Sequence, residues 1–231
     1  MDEEFRGFKV SDLESRAECL LQELRAQGDV LHPVKSKAKN LAKSFWGKAW
    51  MKSLQYCEQQ GMCLAGGRTY LRHGCVLDVQ VEPGLIRSRV LGEFLYDVEI
   101  RTKTLDGERM RALSDCCVGN VASWVDLLQG QMNDELMGIL SSEESGIFPL
   151  PNEWLFSCNC ADYADVCKHV AATLYAFGVM IDSEPELLFT LRNISANDLL
   201  PHQIDVASID DDSRLRVDRN ALQDMFGISL D

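Results

Sequence analysis

The sequence lacks a hydrophobic run long enough to cross a bilayer. A transmembrane helix needs about 20 consecutive apolar residues, whereas the longest run here, residues 170–181, is interrupted by Thr173 and Gly178. The chain begins with the acidic stretch MDEE, and the basic region and apolar segment of a secretory signal are missing. We therefore expect a cytoplasmic protein without a membrane partner, in a compartment where thiols stay reduced.

An excess of basic charge is also missing. The 23 lysines and arginines are outnumbered by 36 aspartates and glutamates, which gives a formal net charge of −13. This balance argues against a protein that coats nucleic acid through bulk electrostatics. The charge is unevenly distributed, however, because residues 33–57 contain six lysines and no acid. A local basic surface is therefore compatible with the acidic chain.

The composition gives no reason to expect a disulfide scaffold. Of the 231 residues, 46% are hydrophobic, and a domain of this size buries roughly 70% of the surface that its unfolded chain exposes. Such a core does not require covalent cross-links to fold. The nine cysteines are then buried thiols or metal ligands, which are the commoner roles in a reducing compartment.

Apolar periodicity predicts both helices and strands. Apolar residues recur at helical spacing over residues 13–27 and 44–59, and helical character returns within 107–142. Between residues 69 and 103 the period changes to two, and turn signals at residues 83–84 and 92–93 separate three strands of an antiparallel meander. Further helices are predicted over residues 166–178, 185–191 and 195–200.

Four potential metal ligands fall within twelve residues, in the pattern C-x-C-x6-C-x-H: Cys158, Cys160, Cys167 and His169. Three thiolates and one imidazole suit tetrahedral zinc. Because four protein ligands close the coordination sphere, we expect one structural Zn²⁺ ion. Residues 157–160 are predicted to form a knuckle. The helix that follows should place Cys167 and His169 at its start, where free amides and the helix dipole stabilise thiolates.

The segment WLFSCNCADYADVCKHVAATLY, residues 154–175, resembles a SWIM-type zinc finger, whose ligand pattern C-x-C-x(n)-C-x-H precedes a hydrophobic helix. Further blocks occur in the order of the prokaryotic SWIM zinc finger family, over roughly residues 40–228: FWGKAW at 45–50, GRTYLRHGCV at 67–76, EPGLI at 82–86, YDVEI at 96–100, FP at 148–149, LFTLR at 188–192 and FGI at 226–228. Ala161 stands where the family often has proline, and Cys75 where a small or polar residue is common. Neither departure affects a metal ligand.

That family is often encoded beside Snf-type helicase-like ATPases. The resemblance therefore implies a non-catalytic module that binds DNA or a protein, with such an ATPase or another protein as its partner. The resemblance does not establish a biochemical activity, because a fold or family likeness is an analogy.

The predicted fold class is α+β, a small antiparallel sheet flanked by helices, with a C-terminal zinc-finger unit made of a knuckle and a helix. Four regions follow from the charge distribution and the motif. Residues 1–40 form an acidic helical arm and linker, and residues 41–145 an α+β domain that contains the meander. Residues 146–202 form the zinc-finger unit with its following helices, and residues 203–231 an acidic tail.

A nucleic-acid surface is a further hypothesis. The lysine-rich block surrounds Trp46 and Trp50, and lysines beside aromatic rings can contact phosphates and stack on bases. The competing interpretation is structural, because tryptophans four residues apart on a helix usually pack in the core. Strand arginines, likewise, often form a solvated face with neighbouring acids such as Asp97 and Glu99. The candidate contacts are Lys43, Lys48, Arg68, Arg72, Arg87 and Arg89.

These observations together predict a non-catalytic, zinc-binding accessory protein that binds DNA, a partner protein or both. The alternatives are a pure protein-interaction adaptor and an unrecognised enzyme, although serine-hydrolase, phosphate-loop and dinucleotide signatures are absent from the sequence. Two other sites stay open as hypotheses. One is a catalytic pair of His73 and Cys75, and the other is a second zinc site formed by these two residues with Cys57 and Cys63.

Overall fold

The computed structural model describes residues 10–118, 121, 124–131, 133–142, 146–162 and 164–200. Three helices precede the sheet: α1 (Val10–Ala26), α2 (Phe45–Gln59) and α3 (Gly67–Arg72). Ser44 caps α2, because its side-chain oxygen accepts a hydrogen bond from the Gly47 amide. The period-two region was predicted to begin at residue 69, but residues 67–72 form α3, so regular alternation begins only with β1. The predicted acidic tail, residues 203–231, lies outside the described residues.

The sheet contains four antiparallel strands in the order β1-β2-β3-β4. The predicted meander is formed by β1 (Val76–Glu82), β2 (Leu85–Leu91) and β3 (Leu95–Thr102). The fourth strand, β4 (Trp154–Cys158), comes from the finger segment and pairs with β3, with Cys158 opposite Val98. This strand was not predicted, and it joins the first metal-ligand candidate directly to the sheet.

The remaining described helices flank the sheet. They are α4 (Gly107–Cys117), α5 (Trp124–Leu128), α6 (Asp134–Leu140), α7 (Lys168–Ser183), α8 (Glu186–Arg192) and α9 (Ala196–Leu199), and a 3-10 turn at Pro151–Glu153 leads into β4. The combination of a four-stranded antiparallel sheet, flanking helices and a C-terminal Cys/His cluster confirms the predicted fold class. The four region boundaries drawn from the sequence stay predictions.

The hydrophobic core forms around α7, most of whose residues are buried. On α2, Trp46 and Trp50 are 1% and 0% exposed. The Trp50 Nε1 donates a hydrogen bond to the Leu174 carbonyl of α7 at 3.0 Å, and Trp46 Nε1 bonds the Leu127 carbonyl at 3.0 Å. The interpretation of Trp46 and Trp50 as core residues is therefore confirmed. The hypothesis that their rings stack on bases is wrong, because both rings are inaccessible to a ligand.

A buried charged cluster joins three separate parts of the chain. Glu153 accepts hydrogen bonds from Arg109 at 2.9 Å and from Arg192 at 3.1 Å, and all three side chains are nearly inaccessible to solvent. Arg109 also donates to the carbonyls of Gly146 and Phe148. We call these three residues the Glu153 cluster. Because burial of an unpaired charge is costly, the cluster fixes α4 and α8 to the entry of β4.

Candidate metal centre

The knuckle that carries the first two cysteines is attached to the sheet edge. β4 ends at Cys158, and the next residue, Asn159, clamps Asp97 of β3. The Asn159 side-chain oxygen accepts a hydrogen bond from the backbone amide of Asp97 at 2.9 Å. The backbone amide of Asn159 donates a hydrogen bond to the Asp97 carbonyl at 3.3 Å. Cys160 follows in the tight turn after this clamp. The backbone therefore reverses at a fixed position, and both sulfurs can face the same point.

The other two ligands come from the beginning of α7. Cys167 is the N-cap residue, in an extended conformation, and His169 lies in the first turn of the helix. Both residues are buried, at 3% and 2% exposure. The prediction that the helix start would present this pair is confirmed, although α7 begins at Lys168 and continues to Ser183, five residues beyond the predicted end.

The structure brings the four predicted ligands together. The three sulfurs and one imidazole nitrogen all lie within 4.8 Å of one another, and His169 Nδ1 is 3.8 Å from the sulfurs of both Cys158 and Cys167. In a tetrahedral site with metal–sulfur bonds of 2.3 Å, ligand atoms are separated by about 3.6–3.8 Å. The cluster can therefore hold a metal ion, with His169 coordinating through Nδ1.

Backbone amides stabilise negative charge on each sulfur. The amide of Cys160 donates to the Cys158 sulfur, that of Asp162 to Cys160, and that of Val170 to Cys167. Hydrogen bonds to the charged form of a group lower its pKa. These amides belong to the knuckle turn and to the start of α7, which is where the sequence predicted that thiolates would be stabilised.

The thiols also interact with one another. The hydrogen bond from the Cys158 thiol, followed by that from His169, lowers the pKa of Cys167 to about 3. The same bond, together with burial, raises the pKa of Cys158, and burial raises that of Cys160. One thiolate is therefore already favoured in the cluster. A bound cation would displace the remaining protons, since thiolates rather than thiols ligate metals.

Two tyrosines and a glycine position the histidine ring. The Tyr96 ring lies 4.3 Å from the imidazole centroid, and Tyr70 meets it edge-on at 5.4 Å. His169 Nε2 is buried without a hydrogen-bond partner among the described residues, and it faces Gly92, where an added Cβ would lie only 2.6 Å away. Sequence reasoning placed a turn at Gly92 but missed this contact, and the Gly-Glu pair carries no signal that could have revealed it.

The structure does not bring the nucleic-acid candidates together on one surface. Lys48 and Arg68 line a shared open cavity between α2 and α3. Arg87 and Arg89 lie on the outer face of β2, on the side away from the core, as predicted. The other two candidates are exposed elsewhere: Lys43 before α2, and Arg72 at the end of α3.

Acids compensate both strand arginines. Arg87 forms ion pairs with Glu82 and Glu99, and Arg89 with Asp29 at 2.8 Å and the buried Asp78 at 3.8 Å. The structural interpretation of a paired, solvated strand face is therefore confirmed for Arg87, which pairs with Glu99. Arg89 is also paired, but its partners Asp29 and Asp78 are not the acids that the sequence suggested. The positive charge of both arginines is largely neutralised before any ligand arrives.

The alternative sites that the sequence left open are not assembled. Among the described residues, the Cys158 group is the sole set of three or more His, Cys, Asp or Glu side chains that could hold a metal. Cys57 and Cys75 are buried, Cys63 is exposed, and burial raises the pKa of Cys75 to about 12. That thiol is a core residue and not an activated nucleophile, because nucleophilic cysteines have lowered pKa values.

In the part of the chain that the structure describes, every helix is too short or too polar to pass through a membrane.

Among curated proteins, the chain is similar to Uncharacterized protein Rv2102 of Mycobacterium tuberculosis, with 28% identity over 163 residues. The aligned part covers 69% of this chain and 58% of that relative, so this chain spans little more than half of the relative's length. The relative's name gives no activity. No protein-family model matches the chain, and no solved structure gives a significant match.

Proposed function

We propose that this chain is a non-catalytic accessory protein, built around one structural Zn²⁺ ion, that binds DNA and a protein partner of the helicase-like ATPase class. The observation that carries the proposal is the closed Cys3His cluster, in which four protein ligands converge on one point. A catalytic zinc site normally has three protein ligands and leaves a position for water or substrate. Four ligands leave no such position, which favours a structural role.

The donor set argues for zinc over other metals. Soft thiolates with one imidazole suit Zn²⁺, whereas Mg²⁺ and Ca²⁺ require oxygen ligands. The mixed set also differs from the all-cysteine set that holds most iron–sulfur clusters. A structural zinc at this position joins β4, the knuckle and α7 into one unit. Its Cys158 ligand lies on β4, and its Cys167 and His169 ligands lie at the start of α7.

The DNA part of the proposal depends on local charge. The chain as a whole is acidic, but Lys48 and Arg68 share one cavity, and neither forms an ion pair with a carboxylate in the described portion of the chain. Phosphate contacts from such groups give salt-dependent binding. The ATPase partner comes from the resemblance of residues 154–175 to SWIM-type fingers.

A pure protein-interaction adaptor is the second candidate, and one observation favours it. The outer face of the sheet carries balanced ion pairs around Arg87 and Arg89 and an exposed Leu155. Mixed charge with a single apolar residue is typical of protein interface rims more than of nucleic-acid surfaces.

DNA titration separates the two candidates. Zinc-loaded protein should bind single- or double-stranded DNA at 50 mM salt and lose most of its affinity by 200 mM, since each phosphate contact adds about 0.7–0.9 to the salt slope. Affinity purification of the tagged protein from its native cells should return a helicase-like ATPase as a stoichiometric partner. Flat titrations with both DNA forms would remove the DNA part and leave the adaptor. Failure of both experiments would contradict the whole proposal.

A further inference from the structure

An open cavity of about 480 Å³ lies between α2 and α3, and its lining residues do not include the four candidate metal ligands. Lys48, Lys52, Gln55 and Glu58 of α2 contribute to one wall, because residues at these spacings share a helix face. Arg68 of α3 and Tyr175 of α7 contribute to the other. Three cations and one acid therefore line a single cavity on a chain whose net charge is −13.

The geometry of the helices holds this cavity open and in place. α3 lies directly on α7 at Gly67, where an added Cβ would be 2.6 Å from the Ala171 backbone. α2 is fixed to the same helix by the Trp50 hydrogen bond to Leu174. Both walls thus stand on one rigid, buried helix. The cavity is a built feature of the core packing and does not depend on the conformation of a long loop.

Two cationic groups of the cavity, Lys48 and Arg68, differ from the arginines that acids neutralise. Arg87, Arg89, Arg101, Arg109 and Arg192 all pair with carboxylates. In the described part of the chain, Lys48 and Arg68 have no such partner. The Arg68 guanidinium instead lies over the Tyr175 ring, 4.9 Å from its centroid. Stacking of this kind orders the arginine without neutralising its charge.

We propose that this cavity binds a nucleoside phosphate, either as a free nucleotide or as one unit of a nucleic-acid strand. The phosphate would contact Lys48 and Arg68, since arginine and lysine donors form charge-assisted bonds to phosphate oxygens. Gln55 and Glu58 offer an amide and a carboxylate to the hydroxyl and amine groups of a nucleoside. The volume lies within the range of small-ligand sites, roughly 300–1,000 Å³, and exceeds what a bare phosphate would fill.

The inference deepens the proposed function, because it gives the DNA-binding part a location. Binding of a free nucleotide in this cavity would nevertheless hold even if the protein does not bind DNA.

The test uses full-length, zinc-loaded protein and four probes: ADP, inorganic phosphate, a DNA single strand of about 20 nucleotides and the matching duplex. The Lys48→Glu/Arg68→Glu variant is compared with Lys39→Glu/Arg111→Glu, which makes the same charge change at exposed positions outside the cavity. Zinc content and the unfolding midpoint verify that each variant is folded. Lys48→Gln/Arg68→Gln replaces the charge-reversal variant if that one is unstable.

The cavity variant should lower the affinity for ADP or for DNA at least about tenfold, because each charge-assisted hydrogen bond contributes a factor of roughly 10 or more. The control variant should stay within about twofold of wild type. If a single strand is the ligand, the salt slope should also fall by about 0.7 in the cavity variant, which corresponds to the one phosphate that the cavity neutralises. ADP binding that is lost in the cavity variant, without any DNA binding, supports the inference and removes only the DNA part of the proposed function.

Three results overturn the inference. The first is that none of the probes binds at low salt. The second is that inorganic phosphate binds as tightly as ADP and DNA does not bind, which would leave no role for the nucleoside. The third is that every probe that binds does so with equal strength in wild type and the cavity variant; if DNA is among them, the proposed function stands and the nucleic acid binds elsewhere.

Discussion

Replacement of Gly92 by alanine should weaken metal binding, although Gly92 is not a ligand. An alanine Cβ would lie 2.6 Å from His169 Nε2 and 2.9 Å from Tyr96 Cε2, while ordinary contacts begin near 3.4 Å. The imidazole would have to retreat by roughly 0.8 Å, which is the difference between 3.4 and 2.6 Å. Metal–ligand distances tolerate only about 0.2 Å, so His169 could not keep its position.

Overpacking of this kind costs about 1–3 kcal/mol, which corresponds to about a 5- to 150-fold loss of zinc affinity at 1.4 kcal/mol per factor of ten. Competition with a chromophoric chelator measures that affinity directly. Gly107→Ala is the matched control, because an added Cβ there meets no atom within 4 Å. Equal affinity of Gly92→Ala, Gly107→Ala and wild type would refute the reasoning that Gly92 sets the position of the histidine.

Other variants and reagents test the rest of the structure. Glu153→Gln should destabilise the protein by about 3–5 kcal/mol in urea denaturation, because it leaves two buried arginines without their charged partner; a loss below 1 kcal/mol would contradict the role assigned to the Glu153 cluster. Thiol alkylation of zinc-loaded protein, followed by mass spectrometry, should modify the exposed Cys63 first. The exposed Cys19 should react more slowly, since its hydrogen bond to Glu23 raises its pKa. Chelation should then add three reactive thiols, and early modification of the metal-site cysteines before chelation would contradict a bound metal.

The Cys/His cluster is predictable from sequence because its signal is local. Three cysteines and a histidine in C-x-C-x6-C-x-H spacing fall within one reversal of the chain, so their meeting point depends on few contacts elsewhere. The helix carrying Trp46 and Trp50 is predictable for the same reason. Its apolar residues recur at helical spacing, as these two tryptophans do four residues apart, so the pattern is visible within a short segment. Strands β1 to β3 are joined by short turns, and their alternating pattern is sufficient to identify them.

Features that depend on distant parts of the chain could not be predicted. β4 has only five residues, and it is a strand because β3, more than 50 residues earlier, offers it a free edge. Residues 67–72 form a helix because Gly67 permits close contact with Ala171, which no local pattern reveals. The compensation of Arg87 by Glu82 and Glu99 requires strand register, whereas the sequence shows only that acids and arginines are both present.

The measurement that tests the central claim most directly is the zinc content of purified protein, by elemental mass spectrometry, in wild type and the Cys160→Ser variant. We expect one zinc ion per wild-type chain, resistant to dialysis, and substoichiometric zinc with a lower unfolding midpoint in the variant, because a structural metal contributes its binding free energy to folding. Folded wild-type protein that contains no zinc, or a Cys160→Ser variant that is equally stable without metal, would contradict a structural zinc site at Cys158, Cys160, Cys167 and His169.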